Sequence, residues 1–419
     1  MDKILVTSGK PLTGSVEMSG SKNAALPILC ASLLSAGPAT ISNLPDLKDI
    51  DTMLSLLTTL GAKIERPNPS MAFIDMGICD QYEAPYQLVK TMRASVLVMG
   101  ALLARTGKAR VSLPGGCAIG SRPIDLHLKG LAKLGINIKL SGGYVNLTAA
   151  ELKGSEIYLD FPSVGATENL IMAAVLAKGE TVIAGAAKEP EVVDLANFLN
   201  QSGARIIGAG TDKIKITGVK ELKAIDYKVI PDRIEAGTFM VAAAITKGDI
   251  YIKGVVPEHL MAVITKLQEA GVEVTSGKEG LKVSAPNDLR PVNIRTLPYP
   301  GFPTDMQAQL MTLMSVTEGL SLIEETIFEN RFMHVAELAR MGAKIKIEGH
   351  GALVSGVKSL SAAPVMATDL RASAALVLAA LTAKGTTEIS RVYHLDRGYE
   401  KLEEKLRGLG AEIERIKGQ

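Results

Sequence analysis

Apolar positions along this chain come in blocks that repeat rather than in one steady alternation. Six times, a run rich in Ala, Leu, Val and Met stops at a glycine, passes through a short strand-like stretch, and leads to a segment that is apolar on one side only and stops at a second glycine. The second stops read "LTTLGAKIE", "LAKLGINIK", "LNQSGARII", "LQEAGVEVT", "LARMGAKIK" and "LRGLGAEIE", with Gly61, Gly135, Gly203, Gly271, Gly342 and Gly410 lying 74, 68, 68, 71 and 68 residues apart. Each predicts a helix closed by glycine and followed by a strand. The first stops, Gly37, Gly107, Gly179, Gly248, Gly319 and Gly385, precede their partners by 24, 28, 24, 23, 23 and 25 residues. A helix that is apolar all round belongs inside, and one with a charged side covers a surface. The chain is therefore expected to be an α/β protein of two domains with three repeats each, helices inside and sheets around them. Even spacing over the whole length weighs against an ordinary doubly wound sheet.

Composition agrees with a large buried core. With 419 residues, 47% hydrophobic and 21% charged, the chain needs neither metal nor disulfide to stabilise it. Cys30, Cys79 and Cys117 are an odd number without close spacing, and no histidine stands at ligand spacing, so no metal site and a reducing compartment are expected. The apolar runs after Arg93 and Arg371 are shorter than the roughly 18 residues of a membrane span, and no secretory signal opens the chain. A net charge of +2 with 4% aromatics gives no nucleic-acid footprint. A cytoplasmic protein without a cofactor, bound to neither nucleic acid nor membrane, is the resulting expectation.

Charge changes the picture at the helix starts. Counting back from the six first glycines, the opening polar residues are Lys22, Arg93, Thr167, Arg233, Asp305 and Arg371, 12 to 15 residues ahead. A cation at a helix N-terminus is unfavourable by a few tenths to about 1 kcal/mol unless an anion is present. Equivalent helices of a repeat point alike, so these ends share one face of each domain and form an anion site. Asp305, the single acid of the series, is both an ordinary helix opener and a candidate base.

The second repeat is longer than the rest because it carries "PGGCAIGSRPIDLH". Cys117 there lies between glycines and ahead of Arg122, a setting for a reactive thiol on a movable loop. Cys30, in an apolar helix, reads as packing, and Cys79 as a loop residue. His127, His334 and His394 belong to no triad and read as structural. There is no phosphate-binding Gly-Lys-Ser/Thr loop and no dinucleotide fingerprint.

These segments closely resemble the UDP-N-acetylglucosamine 1-carboxyvinyltransferases, the enolpyruvyl transferases that begin peptidoglycan synthesis. The likeness runs the whole length: "GSKNAALPIL", "TMRAS", "PGGCAIGSRPIDLH", "SVGATENLIMAA", "GFPTDMQAQLM", "IFENRFMHVAEL", "TDLRAS" and "DRGYEKLEEKL". It implies two inverse α/β prism domains, 22–229 carrying the Cys117 loop and 1–21 plus 230–419, with the active site in the cleft between them. It implies transfer of the enolpyruvyl group of phosphoenolpyruvate to the sugar 3-hydroxyl, with release of phosphate by addition and elimination, and so a part in cell-wall biogenesis, cell shape and division.

The resemblance also assigns residues. Lys22, Asn23, Arg122 and Arg397 would hold phosphoenolpyruvate. Arg93, Arg122, Pro123, Ile124, Asp125, Leu126, Ser163, Val164, Gly165, Asp305 and Ile327 would hold UDP-N-acetylglucosamine. Asp305 would accept the hydroxyl proton, Cys117 would deliver one to the methylene carbon and take up fosfomycin as a covalent inhibitor, and Arg331, Asp369 and Arg371 would complete the network. Two positions depart from the family: Leu97 stands where some members have Trp, and Phe161 and Pro162 stand where some have Lys ahead of "SVGAT". The alternatives are a 5-enolpyruvylshikimate-3-phosphate synthase, disfavoured by Cys117 and "SRPIDL", and a non-catalytic nucleotide-sugar-binding paralogue, disfavoured by intact Lys22, Cys117, Asp305 and Arg397.

Overall fold

Six helices rich in small and branched apolar residues occupy the interior: α1 (Lys22–Ala31), α2 (Val98–Thr106), α3 (Val164–Ala174), α4 (Arg233–Thr246), α5 (Gln307–Ser315) and α6 (Leu370–Ala380). The computed structural model describes residues 2–77, 79–90, 92–113 and 124–418. Every residue of α5 and every residue of α4 but the last is buried, as expected for helices without a polar face. Four of the six are capped by the residue before them. Ser21 and Ser163 accept from the Ala24 and Ala166 N–H groups, and Asp232 and Asp369 each accept two N–H groups at 2.8–3.0 Å. The other two, α2 and α5, enter through 3-10 turns, Arg93–Leu97 and Thr304–Met306. Thr167 does not open its helix as expected; α3 starts at Val164 because Ser163 supplies the cap.

The second helix of each repeat stops where the sequence predicts. All six following glycines have left-handed φ, between 86° and 106°. In five of them the next N–H reaches back five residues, as Ala62 does to the Leu57 carbonyl at 2.9 Å, which satisfies a helix-end carbonyl that would otherwise be orphaned. The first glycines behave differently. Only α2 stops at its glycine, whereas α1, α3, α5 and α6 end several residues earlier and use Gly37, Gly179, Gly319 and Gly385 to turn into the strand. At the fourth, Lys247 takes the left-handed conformation, and Gly248 is needed because a Cβ there would lie 2.3 Å from the Leu12 carbonyl oxygen.

Around the helices stand six four-stranded sheets of one design, a parallel edge strand joined to an antiparallel group of three. In one, Ile294–Arg295 runs parallel to Leu320–Glu324, which pairs antiparallel with Gly351–Ser355 and through it with Lys344–Glu348. The sixth sheet is completed from the other end of the chain: Lys3–Thr7 lies between Thr386–Ser390 and Glu412–Ile416. Thr13–Glu17 is likewise the edge strand beside Asp249–Lys253, and Asp226–Lys228 the edge beside Pro38–Ser42. Two compact units result, one holding the residues up to Ser19 and from Pro231 onward, the other the described residues from Gly20 to Ile230. Among the described residues each has three four-stranded sheets and its own hydrophobic core, and the second adds a two-stranded pair, Ser35–Ala36 with Leu222–Lys223. No described helix is long and apolar enough to cross a membrane.

Candidate active site

In the unit containing both chain ends, the starts of α5 and α6 and the loop after Leu320–Glu324 converge on Asp305. Arg331 Nη2 donates to its Oδ1 at 2.7 Å, and Arg371 Nε and Nη2 donate to its Oδ2 at 3.1 and 2.9 Å. The arginine side chains are only 7% and 4% exposed, while Asp305 keeps 25%. Burial alone would raise this carboxyl, but Arg371 and Arg331 outweigh it and hold it well below the usual carboxylate range. A carboxylate so clamped is a weak proton acceptor; drawing either guanidinium away toward a bound anion restores its basicity. Asp369 stands one turn off, capping α6 and fixing the backbone from which Arg371 extends.

Glu325, which the sequence reading overlooked, organises this group. It is 1% exposed and accepts from Thr296 Oγ1, Thr304 Oγ1, Ile327 N–H and Phe328 N–H at 2.8–3.1 Å. Thr304 Oγ1 in turn accepts from Arg331 at 2.9 Å, so one buried acid sets Asp305, Arg331 and Ile327 together. Arg371 also lies over the Tyr399 ring, and its Nη1, though buried, has no hydrogen-bond partner among the described residues. Arg397 ends the 3-10 helix Val392–Arg397, whose Asp396 takes two hydrogen bonds from Arg415 at 2.6 and 3.0 Å.

In the other unit, Lys22 opens α1 with its Nζ 3.3 Å from Asp49, and both side chains are nearly buried. The anion expected at this helix start is thus supplied from within the chain, as it is for Arg371. Asn23 follows on the same turn. Arg93 begins the 3-10 turn into α2, Ile124 is buried, and Asp125 opens the helix Asp125–Lys133. Ser163 caps α3, so Val164 and Gly165 present N–H groups that no described residue accepts. Cys117, Arg122 and Pro123 lie outside the described residues. Cys30 is buried with its thiol on Met53, Cys79 sits in a loop against the Leu60 and Gln81 carbonyls, His334 is buried on Met311, and His394 stacks on Tyr393.

Comparison with known proteins identifies the ancestry of this site. The family described as EPSP synthase (3-phosphoshikimate 1-carboxyvinyltransferase) matches residues 6–406. The chain belongs to the enolpyruvyl transferase family. It is 61% identical over 417 residues, the full length of both chains, to a UDP-N-acetylglucosamine 1-carboxyvinyltransferase of Geobacter metallireducens. It is 57% identical to UDP-N-acetylglucosamine 1-carboxyvinyltransferase 2 of Carboxydothermus hydrogenoformans, covering 99% of this chain and all of that one. Among solved enolpyruvyl transferases, NikO of Streptomyces tendae superposes with a TM-score of 0.90 at 27% identity, covering 100% and 99% of the two chains. EPSP synthase of Acinetobacter baumannii shares the fold at a TM-score of 0.77 and 19% identity over both whole chains. The two inverse α/β prisms of three repeats are therefore those of an enolpyruvyl transferase.

Proposed function

We propose that this enolpyruvyl transferase moves the enolpyruvyl group of phosphoenolpyruvate to the 3-hydroxyl of UDP-N-acetylglucosamine and releases phosphate. Full-length identity of 57–61% to relatives bearing that name carries the reading. The sugar oxygen adds to C2 of phosphoenolpyruvate while the methylene carbon takes a proton. Phosphate then leaves as that carbon gives a proton back, which restores the double bond. Lys22, Asn23, Arg122 and Arg397 neutralise and orient the phosphate and carboxylate of the donor.

Arg93, Arg122, Pro123, Ile124, Asp125, Leu126, Ser163, Val164, Gly165, Asp305 and Ile327 hold the nucleotide sugar. Asp305 takes the hydroxyl proton once a guanidinium has turned from it to the substrate, and Cys117 delivers the proton to the methylene carbon. Fosfomycin marks the same thiol: sulfur attacks an epoxide carbon, the C–O bond opens, and the alkoxide takes a proton. A thioether on Cys117 is the expected product, and mass spectrometry that places it on Cys30 or Cys79 overturns this assignment. The function is tested by phosphate release from phosphoenolpyruvate with UDP-N-acetylglucosamine or shikimate 3-phosphate as acceptor. Release with the nucleotide sugar alone is expected; release with shikimate 3-phosphate or silence with both refutes the proposal.

A further inference from the structure

His127 lies on the helix Asp125–Lys133 and is 6% exposed. Its Nδ1 is 2.9 Å from Asn169 Nδ2, and the orientation of that amide is fixed twice over. The Gly100 N–H donates to Asn169 Oδ1 at 2.6 Å, and the Val96 carbonyl accepts from Nδ2 at 2.9 Å. A backbone N–H can only donate and a carbonyl can only accept, so the atom facing His127 is the amide nitrogen. Nδ1 must therefore accept, and the proton of the neutral ring sits on Nε2. Burial, with Arg93 adding to it and Asp125 opposing, pushes the imidazolium pKa down to about 4, so the ring is neutral near pH 7.

That Nε2–H has no acceptor among the described residues, and it lies at the start of α3. A Cβ on Gly165 would meet the ring at 3.2 Å from Cε1 and 3.5 Å from Nε2, with Leu97 at 4.0 Å. Glycine at 165 thus lets the imidazole rest against the helix terminus. Three donors at this helix start have no acceptor among the described residues: the Val164 and Gly165 N–H groups and the ring N–H beside Gly165, whose tautomer is set by its neighbours. Uncharged donors gathered on a helix N-terminus fit an anionic oxygen.

We infer that His127 is a nucleotide-positioning residue, its Nε2–H joining the Val164 and Gly165 N–H groups as donors to a diphosphate oxygen of the nucleotide sugar. This rests on the proposed acceptor being UDP-N-acetylglucosamine. Specificity follows from the tautomer: a single neutral donor reads an oxygen lone pair without adding a further positive charge to those of Arg93 and Arg122.

The experiment has two arms. In wild-type protein, a ¹⁵N spectrum of the histidines at pH 7 should show His127 protonated on Nε2 and bare on Nδ1. Saturating UDP should shift the Nε2–H resonance, and uridine should leave it in place. In kinetics, His127→Phe should raise KM for UDP-N-acetylglucosamine at least tenfold, with kcat and KM for phosphoenolpyruvate within twofold of wild type. His127→Gln, whose amide nitrogen reaches the same point, should recover most of the loss. A resonance indifferent to UDP, an unchanged KM in His127→Phe, or an equal loss in His127→Gln overturns the inference. If His127→Phe does not fold, the UDP shift in the wild type decides. Wild-type protein inactive with UDP-N-acetylglucosamine refutes the proposed function, whereas active wild type with an indifferent His127→Phe refutes only the role of His127.

Discussion

Replacing Asp305 by Asn removes a charge while nearly preserving shape, and its consequence follows from the clamp. The two carboxylate oxygens take three hydrogen bonds from guanidiniums whose side chains are 4% and 7% exposed. In the variant, one oxygen becomes an NH₂ group facing another donor, and two buried cations lose their counter-charge. Removing one partner of a fully buried pair costs about 3–5 kcal/mol. Because Asp305 is a quarter exposed, solvent screening reduces the expected loss to roughly 2–3 kcal/mol. For a unit of this size that corresponds to a melting point lower by roughly 5–10 °C.

Urea denaturation followed by circular dichroism, with hydrogen exchange resolving the two units, measures the effect. Only the unit containing α5 and α6 should weaken. The double variant Asp305→Asn with Arg331→Gln should recover part of the loss, because it removes one stranded cation. Turnover of Asp305→Asn, measured at a temperature where the variant is folded, should fall by about a hundredfold or more while nucleotide-sugar binding persists. The wild-type carboxyl is held below its unfolded value, so its stabilisation is present above the ordinary carboxylate range and is lost as pH falls. The variant should lack that acid dependence. A denaturation midpoint within about 0.5 kcal/mol of wild type, or normal turnover, would refute the reasoning.

Other expectations follow from single contacts. Glu325→Ala orphans four donors in a buried pocket and should cost about 3 kcal/mol or more, and it should raise KM for the nucleotide sugar through Ile327; unchanged stability and KM would show that Glu325 does not organise the site. Gly100→Ala would place a Cβ 2.1 Å from the Asn169 carbonyl oxygen, and failure to accumulate folded protein is expected, with a wild-type melting curve as the contrary result. His127 has its pKa below the unfolded value, so the unfolded chain takes up the proton first. Stability should decline as pH drops from about 6.5 toward 4, by up to about 3 kcal/mol. In His127→Phe that part of the decline should vanish, and a wild-type slope in the variant would contradict the buried neutral ring.

The sixfold repeat was legible because helix ends carry chemistry in the residues themselves. Left-handed backbone selects glycine, so Gly61, Gly135, Gly203, Gly271, Gly342 and Gly410 mark their turns without any knowledge of the fold. The first glycines were less exact markers, since four of them serve the entry to a strand after the helix has already ended. Caps explain the misplaced helix start: Ser163 Oγ accepts from the Ala166 N–H and begins α3 ahead of Thr167.

Residue types and local spacing also singled out Asp305 and Arg371, because unusual charges at helix starts are visible one helix at a time; Arg331 and Asp369 came only with the family resemblance. What they do to one another is not. The sequence has no means to show that Arg331 and Arg371 share the carboxylate of Asp305, that Lys22 is answered by Asp49, or that Glu325 ties Thr304 to Ile327. His127 is the sharpest instance, since its protonation is decided by Asn169, 42 residues away, and by Gly100 and Val96 beyond it. Local backbone preference determines where helices stop and which side is apolar. Ionisation, tautomer and hydrogen-bond partners depend on burial and on neighbours that only the folded chain brings within about 3 Å.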